Sequence, residues 1–264
     1  MTNLAPYSHA GFSGHVSYDE IGHGEPFVLV HGTTGDRNTF AQITPTIAEK
    51  FRVIQPEYSG SGTTTDNGEP LTPQLLAAQV LAVCDHLGVD TFHLAGYSLG
   101  AVAAVTLAGI APSRVRSLTS INGWARTDER MKFTFAMWQD WLANDRTTFA
   151  KYAMADGIGR ESFELFTAAG IAELVPITAN SLAPGSERQA ELDGRVDITD
   201  LLAAITAPSL IIGGITDRWV DCVHSETMAA AIRAARLVRL DCGHLSVTEK
   251  AAEVAQLLLE HANA

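Results

Sequence analysis

Gly96-Tyr97-Ser98-Leu99-Gly100 puts a serine between two glycines where an apolar run, Phe92 to Ala95, passes into an alanine-rich stretch, Ala101 to Ile110. The chemistry open to such a serine is nucleophilic attack. A Gly-x-Ser-x-Gly turn between strand and helix lifts the hydroxyl clear of both, and the small residues on either side let the two elements approach closely. A hydroxyl is a poor nucleophile at neutral pH, so it needs an imidazole to take its proton and a carboxylate to orient that imidazole. A Gly/Ser cluster is also found in ordinary turns, so those partners must be sought elsewhere in the chain.

Two residues at strand ends supply them. Asp217 lies three residues beyond the apolar run Ser209 to Gly214, and His244 follows Asp241-Cys242-Gly243 after the run Ala235 to Leu240. The chain order is therefore Ser98 as nucleophile, Asp217 as orienter and His244 as base. Asp221, four residues after Asp217, competes for the orienting role if the loop folds differently, whereas Asp241 is too near His244 in sequence. Among the other histidines, His31 is expected to support a turn, His93 to lie inside a buried strand, and His224 and His261 to sit in helices; these are structural assignments. Ser117, Ser120 and Ser209 lie in or beside strands with no such turn. A third strand, Pro26 to Val30, ends in His31-Gly32-Thr33-Thr34-Gly35, a loop able to aim a backbone N–H at the serine. The amides of Thr33 and Leu99 are thus the candidate donors for a developing oxyanion, with a plain turn as the simpler alternative.

The elements that must hold these residues alternate along the chain. Strands ending near Val30, Gln55, Ala95, Ile121, Gly213 and Leu240 alternate with amphipathic segments at 37–50, 71–87, 99–110, 222–234 and 248–261. Such alternation specifies an α/β architecture, a mostly parallel central sheet with helices on both faces. An antiparallel pair is expected early, between 15–20 and the strand after it.

These pieces resemble the α/β-hydrolase superfamily from about Val16 to the C-terminus. The resemblance rests on five ordered matches: His31-Gly32, Gly60-x-Gly62 after the strand Arg52 to Gln55, the serine turn, Gly214-Ile215-Thr216-Asp217, and Gly243-His244. Glu57 and Ser59 stand where relatives often carry Asp and Arg, and Asp221 stands where a Pro commonly follows the acid. The resemblance implies a serine hydrolase that forms an acyl-serine and releases a free acid from a carboxylic ester or lactone. A thioesterase, an acyltransferase, a carbon–carbon bond hydrolase or a cofactor-free perhydrolase would use the same triad. A ligand receptor that kept the fold is the non-catalytic alternative.

Residues 123–200 break the alternation, with helical periodicity and no convincing strand. They are expected to form a helical lid inserted into a core made of 1–122 and 201–264. Trp124, Met131, Phe135, Trp138 and Trp141 suggest a bulky apolar substrate pocket, although packing among lid helices explains any one of them equally well. Arg126 and Arg130 could pair with a substrate carboxylate; surface ion pairs with Asp128 and Glu129 are the simpler reading, and a neutral substrate follows.

The chain has 264 residues and a net charge of −12, which suits one α/β domain and disfavours nucleic acid or an anionic membrane as a partner. The expected partner is a small, mainly apolar ester. Three cysteines, Cys84, Cys222 and Cys242, lack metal-ligand spacing, so no metal or disulfide is expected, and no Gly-x-Gly-x-x-Gly follows a strand to hold a nucleotide. No cofactor is therefore expected. Met1 to Gly14 has neither a basic start nor an apolar core, so a cytoplasmic location is expected.

Overall fold

The computed structural model describes residues 3–9 and 12–264; part of the Met1 to Gly14 stretch thus lies outside the described residues. Eight strands form one sheet among the described residues: β1 (Asn3–His9), β2 (Phe12–Gly22), β3 (Glu25–Val30), β4 (Phe51–Glu57), β5 (Phe92–Tyr97), β6 (Val115–Ile121), β7 (Ser209–Gly214) and β8 (Arg236–Leu240). Their spatial order is β1-β2-β4-β3-β5-β6-β7-β8, parallel from β4 through β8 and antiparallel at β1·β2 and β2·β4.

One pairing differs from the sequence expectation. The segment 15–20 does not pair with the strand that follows it; β2 pairs with β4 through Tyr18↔Pro56 and with β1 through Leu4↔Ser17. The physical reason is burial. Phe27, Val28, Leu29 and Val30 are all buried, so β3 needs cover on both faces and takes a central place between β4 and β5.

Eleven α-helices are present among the described residues. α1 (Thr44–Ala48), α2 (Pro73–His86) and α3 (Leu99–Ile110) precede β6, and the helices inserted between β6 and β7 are α4 (Glu129–Asn144), α5 (Arg146–Gly157), α6 (Arg160–Phe163), α7 (Ala168–Ser181) and α8 (Ser186–Asp193). After β7 come α9 (Cys222–Ala231), α10 (Ser246–Glu249) and α11 (Ala251–Ala262). Caps written in the sequence start several of these: the side chains of Thr72, Asp128 and Asp145 accept from the amides of Leu75, Met131 and Thr148.

Alternate residues of the central strands feed two cores. Val28, Val30 and Leu94 pack with α2 and α3 on one face, while Phe27, Leu29 and Ala95 pack with Phe40, Ile47 and Leu258 on the other. The alanine richness of α3 follows, since every residue from Leu99 to Ala108 is buried between the sheet and its neighbours. No helix of the described residues is long and apolar enough to cross a membrane. Cys84, Cys222 and Cys242 are free thiols.

Candidate active site

Ser98 occupies the single residue between β5 and α3, with φ 55° and ψ −123°. A non-glycine residue rarely adopts that backbone, and the surroundings enforce it. Its amide donates to the Ile121 carbonyl at 2.9 Å. The flanking glycines are sterically required: a Cβ on Gly96 would fall 2.1 Å from the Gly100 carbonyl oxygen, and one on Gly100 would fall 2.1 Å from the Val30 carbonyl oxygen.

His244 Nε2 lies 2.9 Å from Ser98 Oγ, and His244 Nδ1 lies 2.7 Å from Asp217 Oδ2. All three residues are buried. A neutral imidazole with its proton on Nδ1 donates to Asp217 and accepts from Ser98. Asp217 is held on every side: Oδ1 accepts from the Trp219 and Val220 amides at 2.9 and 3.0 Å, and Oδ2 also accepts from Asn122 Nδ2 at 2.8 Å. Asp221 is elsewhere engaged, capping α9 through the Val223 amide, and Asp241 is exposed.

The loop carrying His244 is fastened to the inserted segment. The His244 and Leu245 amides donate to the Gly157 carbonyl at 2.7 and 3.2 Å, and Tyr97 Oη donates to the His244 carbonyl at 3.1 Å. The Trp219 ring packs against the imidazole with centroids 4.9 Å apart. Burial pushes the Tyr97 hydroxyl well above its ordinary range, which keeps it a neutral donor.

Asn122 was not among the residues singled out from the sequence. It follows β6 with φ 48°, and its Oδ1 accepts from Ser246 Oγ at 2.5 Å while its Nδ2 serves Asp217. An Asn at a strand end beside a glycine was the only available signal, because Asn tolerates the left-handed region.

The loop after β3 crosses the serine turn. A Cβ on Gly32 would fall 2.9 Å from Ser98 Cβ, so glycine allows the loop to pass close over the serine, and the next residue, Thr33, lines the same cavity as Ser98. The Leu99 amide starts α3, where helix N–H groups have no intrahelical partner. Neither amide donates a hydrogen bond among the described residues. His31 braces this loop as expected, with Nδ1 2.9 Å from the Gly32 carbonyl and its ring stacked on Tyr58 at 4.1 Å. Burial holds the His31 imidazole below its usual range. Glu57 accepts from Ser17 Oγ at 2.7 Å, and Ser59 Oγ accepts from Gln79 Nε2 at 2.7 Å, so both residues brace the turn after β4 rather than reach the site.

A cavity of about 270 Å³ opens onto Ser98 and His244. Trp138, Phe149, Ala153, Leu182 and Trp219 supply its apolar wall, and Thr34, Asn38, Thr39, Thr178 and Thr248 a hydroxyl and amide rim. Of the five aromatic and methionine positions suggested for the pocket, Trp138 lines it. Trp124, Met131 and Phe135 are instead buried in the core, and Trp141 packs on Tyr152 with ring centroids 5.2 Å apart. The reason is that the buried stripe of α4 faces the protein interior, while its opposite side meets solvent, with Phe133 70% exposed.

The arginines also find partners other than those expected. Arg126 Nε lies 3.6 Å from Asp197, Arg130 donates to the Arg218 carbonyl, Asp128 pairs with His224 at 3.2 Å, and Glu129 pairs with Lys132 at 2.6 Å. Neither arginine lines the cavity.

The family description "alpha/beta hydrolase fold" matches residues 25–251 of this chain. The chain belongs to the alpha/beta hydrolase family. This alpha/beta hydrolase is 31% identical over 246 residues to a pyrrolizixenacetamide deacetylase of Xenorhabdus hominickii, with 92% of each chain covered. It is 28% identical over 257 residues to a pimeloyl-(acyl-carrier protein) methyl ester esterase of Xanthomonas campestris, covering 91% of this chain and 96% of that one. Its fold superposes on the enol-lactonase from Burkholderia xenovorans with a TM-score of 0.86 at 20% identity, covering 95% and 97% of the two chains. The alpha/beta hydrolase is an enzyme, in keeping with the relatives it matches over their full length.

Proposed function

We propose that this alpha/beta hydrolase cleaves a small, neutral carboxylic ester or lactone through an acyl-serine, with Ser98 as nucleophile, His244 as base and Asp217 as orienter. The observation that carries the reading is the unbroken hydrogen-bonded line from Ser98 Oγ through His244 to Asp217, 2.9 and 2.7 Å long.

In the first half-reaction Ser98 Oγ attacks the carbonyl carbon as its proton passes to His244 Nε2. Asp217 stabilises the imidazolium through Nδ1–H, and the Thr33 and Leu99 amides donate to the tetrahedral oxyanion; each such donor is worth several kcal/mol. The intermediate collapses, the C–O bond to the alcohol breaks, and His244 returns the proton to the leaving oxygen. Water then attacks the acyl-serine with His244 again as base, which releases the acid and restores Ser98.

The inserted residues 123–200 act as a lid in this reading, since they supply Trp138, Phe149, Ala153, Thr178 and Leu182 to the cavity wall. A lining without lysine, arginine, aspartate or glutamate supports a neutral substrate, because a carboxylate placed there would lose its hydration without a lysine or arginine partner. The volume of about 270 Å³, just below the roughly 300 to 1,000 Å³ of small-molecule sites, supports short acyl and alcohol groups.

The test is turnover of a chromogenic ester series from acetyl to decanoyl, with acetyl amides added because a relative is named a deacetylase. Parent activity on short esters, reduced at least about 10³-fold in both Ser98→Ala and His244→Ala, is the expected result. A parent inert toward every ester and amide, yet active on thioesters or diketones, would move the reading to those substrates.

A further inference from the structure

The loop Gly32 to Gly35 carries Thr34 at φ 64°, a conformation that a β-branched residue adopts only under constraint. Four contacts hold it there. Within the loop, Gly35 N donates to the Gly32 carbonyl at 3.1 Å. The other three come from the inserted segment: Ala183 N donates to the Thr34 carbonyl at 3.1 Å, Thr34 N to Gln189 Oε1 at 2.8 Å, and Thr33 Oγ1 to Asp193 Oδ2 at 2.6 Å. Gln189 and Asp193 are four apart on α8, hence on one face, and the two side chains grip consecutive loop residues.

Asp193 is the anomaly of the set. It is 0% exposed, and its Oδ1 has no hydrogen-bond partner among the described residues. Burying a carboxyl with half its hydrogen-bonding capacity unused costs stability that an apolar residue of the same size would not. What it provides is a fixed acceptor for the Thr33 hydroxyl. No charged side chain offsets it; burial, which favours the protonated form, pushes its carboxyl up to about 8, opposed only by the Thr33 hydrogen bond. Its backbone is equally fixed, because its carbonyl accepts from Thr127 Oγ1 at 2.6 Å and Thr127 Oγ1 in turn accepts from Trp124 Nε1 at 2.9 Å.

We infer that Asp193 is a positioning residue that fixes the Gly32–Gly35 loop through the Thr33 hydroxyl and so sets the place of the Thr33 amide beside Ser98. Its catalytic meaning rests on the proposed role of that amide as an oxyanion donor. Asp193 acts through Thr33, since it does not line the cavity.

Steady-state kinetics on the best short ester, for the parent, Asp193→Ala, Thr33→Val and the double variant, tests the inference. Loss of the tie misplaces the donor, so each single variant should lower kcat about 10-fold or more with KM changed less than about 3-fold. The double variant should be no slower than the singles, because both remove one contact. Asp193→Asn, which keeps an acceptor for the Thr33 hydroxyl, should recover most of the rate. Unchanged kcat in Thr33→Val, or losses that multiply in the double variant, would overturn the inference; Thr33→Val alone decides it if Asp193→Ala does not fold. Amide hydrogen exchange at Thr34 and Gly35, the two bonded amides of the loop, should quicken about 10-fold or more in Thr33→Val, and unchanged exchange would overturn the tie itself. That readout needs no turnover, so an enzyme inert toward esters would refute the proposed reaction while exchange still decides the role of Asp193.

Discussion

Asn122 and His244 share one oxygen of Asp217: Asn122 Nδ2 stands 2.8 Å and His244 Nδ1 2.7 Å from Oδ2, while Oδ1 is held by two backbone amides. The carboxylate therefore has no freedom to rotate away from the imidazole. Replacing Asn122 by Gly keeps the backbone at φ 48° unstrained and deletes only the side chain. Asn122→Gly should lower kcat by about 10-fold, as expected when a supporting hydrogen bond of about 1 to 2 kcal/mol is lost. Rates for Asn122→Gly and Asn122→Ala measured beside unfolding curves would separate the site effect from backbone strain, which only the alanine variant adds.

Ser98 stores strain at φ 55° that its chemistry requires and its stability does not. Ser98→Gly should be more stable than Ser98→Ala by about 1 kcal/mol, both being inactive, because glycine alone adopts that conformation freely. Thermal or urea unfolding of the two variants checks the difference.

Asp193 predicts a pH dependence of stability. Its carboxyl is raised from 3.8 to about 8 in the folded protein, so between those values the native state holds a proton that the unfolded chain has released. The unfolded state then binds fewer protons, and stability falls as pH rises across that window by up to about 1.4 kcal/mol per unit, levelling above it. Asp193→Asn should flatten this slope. Urea midpoints of parent and variant at pH 5, 6, 7 and 8 would show the two lines separating toward high pH, with the parent falling below the variant, and parallel lines would refute the assignment.

Gly157 touches both the cavity wall and the base. A Cβ there would fall 2.6 Å from the Trp219 ring, which packs on His244. Gly157→Ala should displace Trp219 and cost about 1 to 3 kcal/mol of stability. It should also lower kcat, and near-ultraviolet circular dichroism of the tryptophans would report the shift.

Much of this arrangement was legible because it depends on local pattern. β5 and β7 read as buried runs and β8 as a partly exposed strand, and Ser98, Asp217 and His244 each follow one of them, so their convergence needed only the parallel topology. The contacts that were missed are tertiary. Nothing near Asn122 in sequence announces Asp217, which is 95 positions away, and nothing near Thr33 announces Asp193, which is 160 positions away. The apolar residues Trp124, Met131 and Phe135 misled for the opposite reason. A helix apolar along one stripe shows that it packs, not what it packs against, and Trp124, Met131 and Phe135 proved to face the interior. Charged neighbours misled in the same way, since Arg126 and Arg130 bypass Asp128 and Glu129 for partners brought close by folding.

The carbonyl of Gly157 ends α5 and receives the amides of His244 and Leu245. In the proposed reaction, the segment that walls the cavity is thereby also a structural support of the proton-transferring His244. Grafting a relative's insertion onto this core would exchange a foundation along with a wall: a chimera that redraws the cavity but omits a carbonyl at this point would bind its new substrate and turn it over slowly. On the proposed reading, specificity is therefore free to vary along α4 and α7, which bring Trp138 and Thr178 to the cavity, while the last turn of α5 is tied to the chemistry itself.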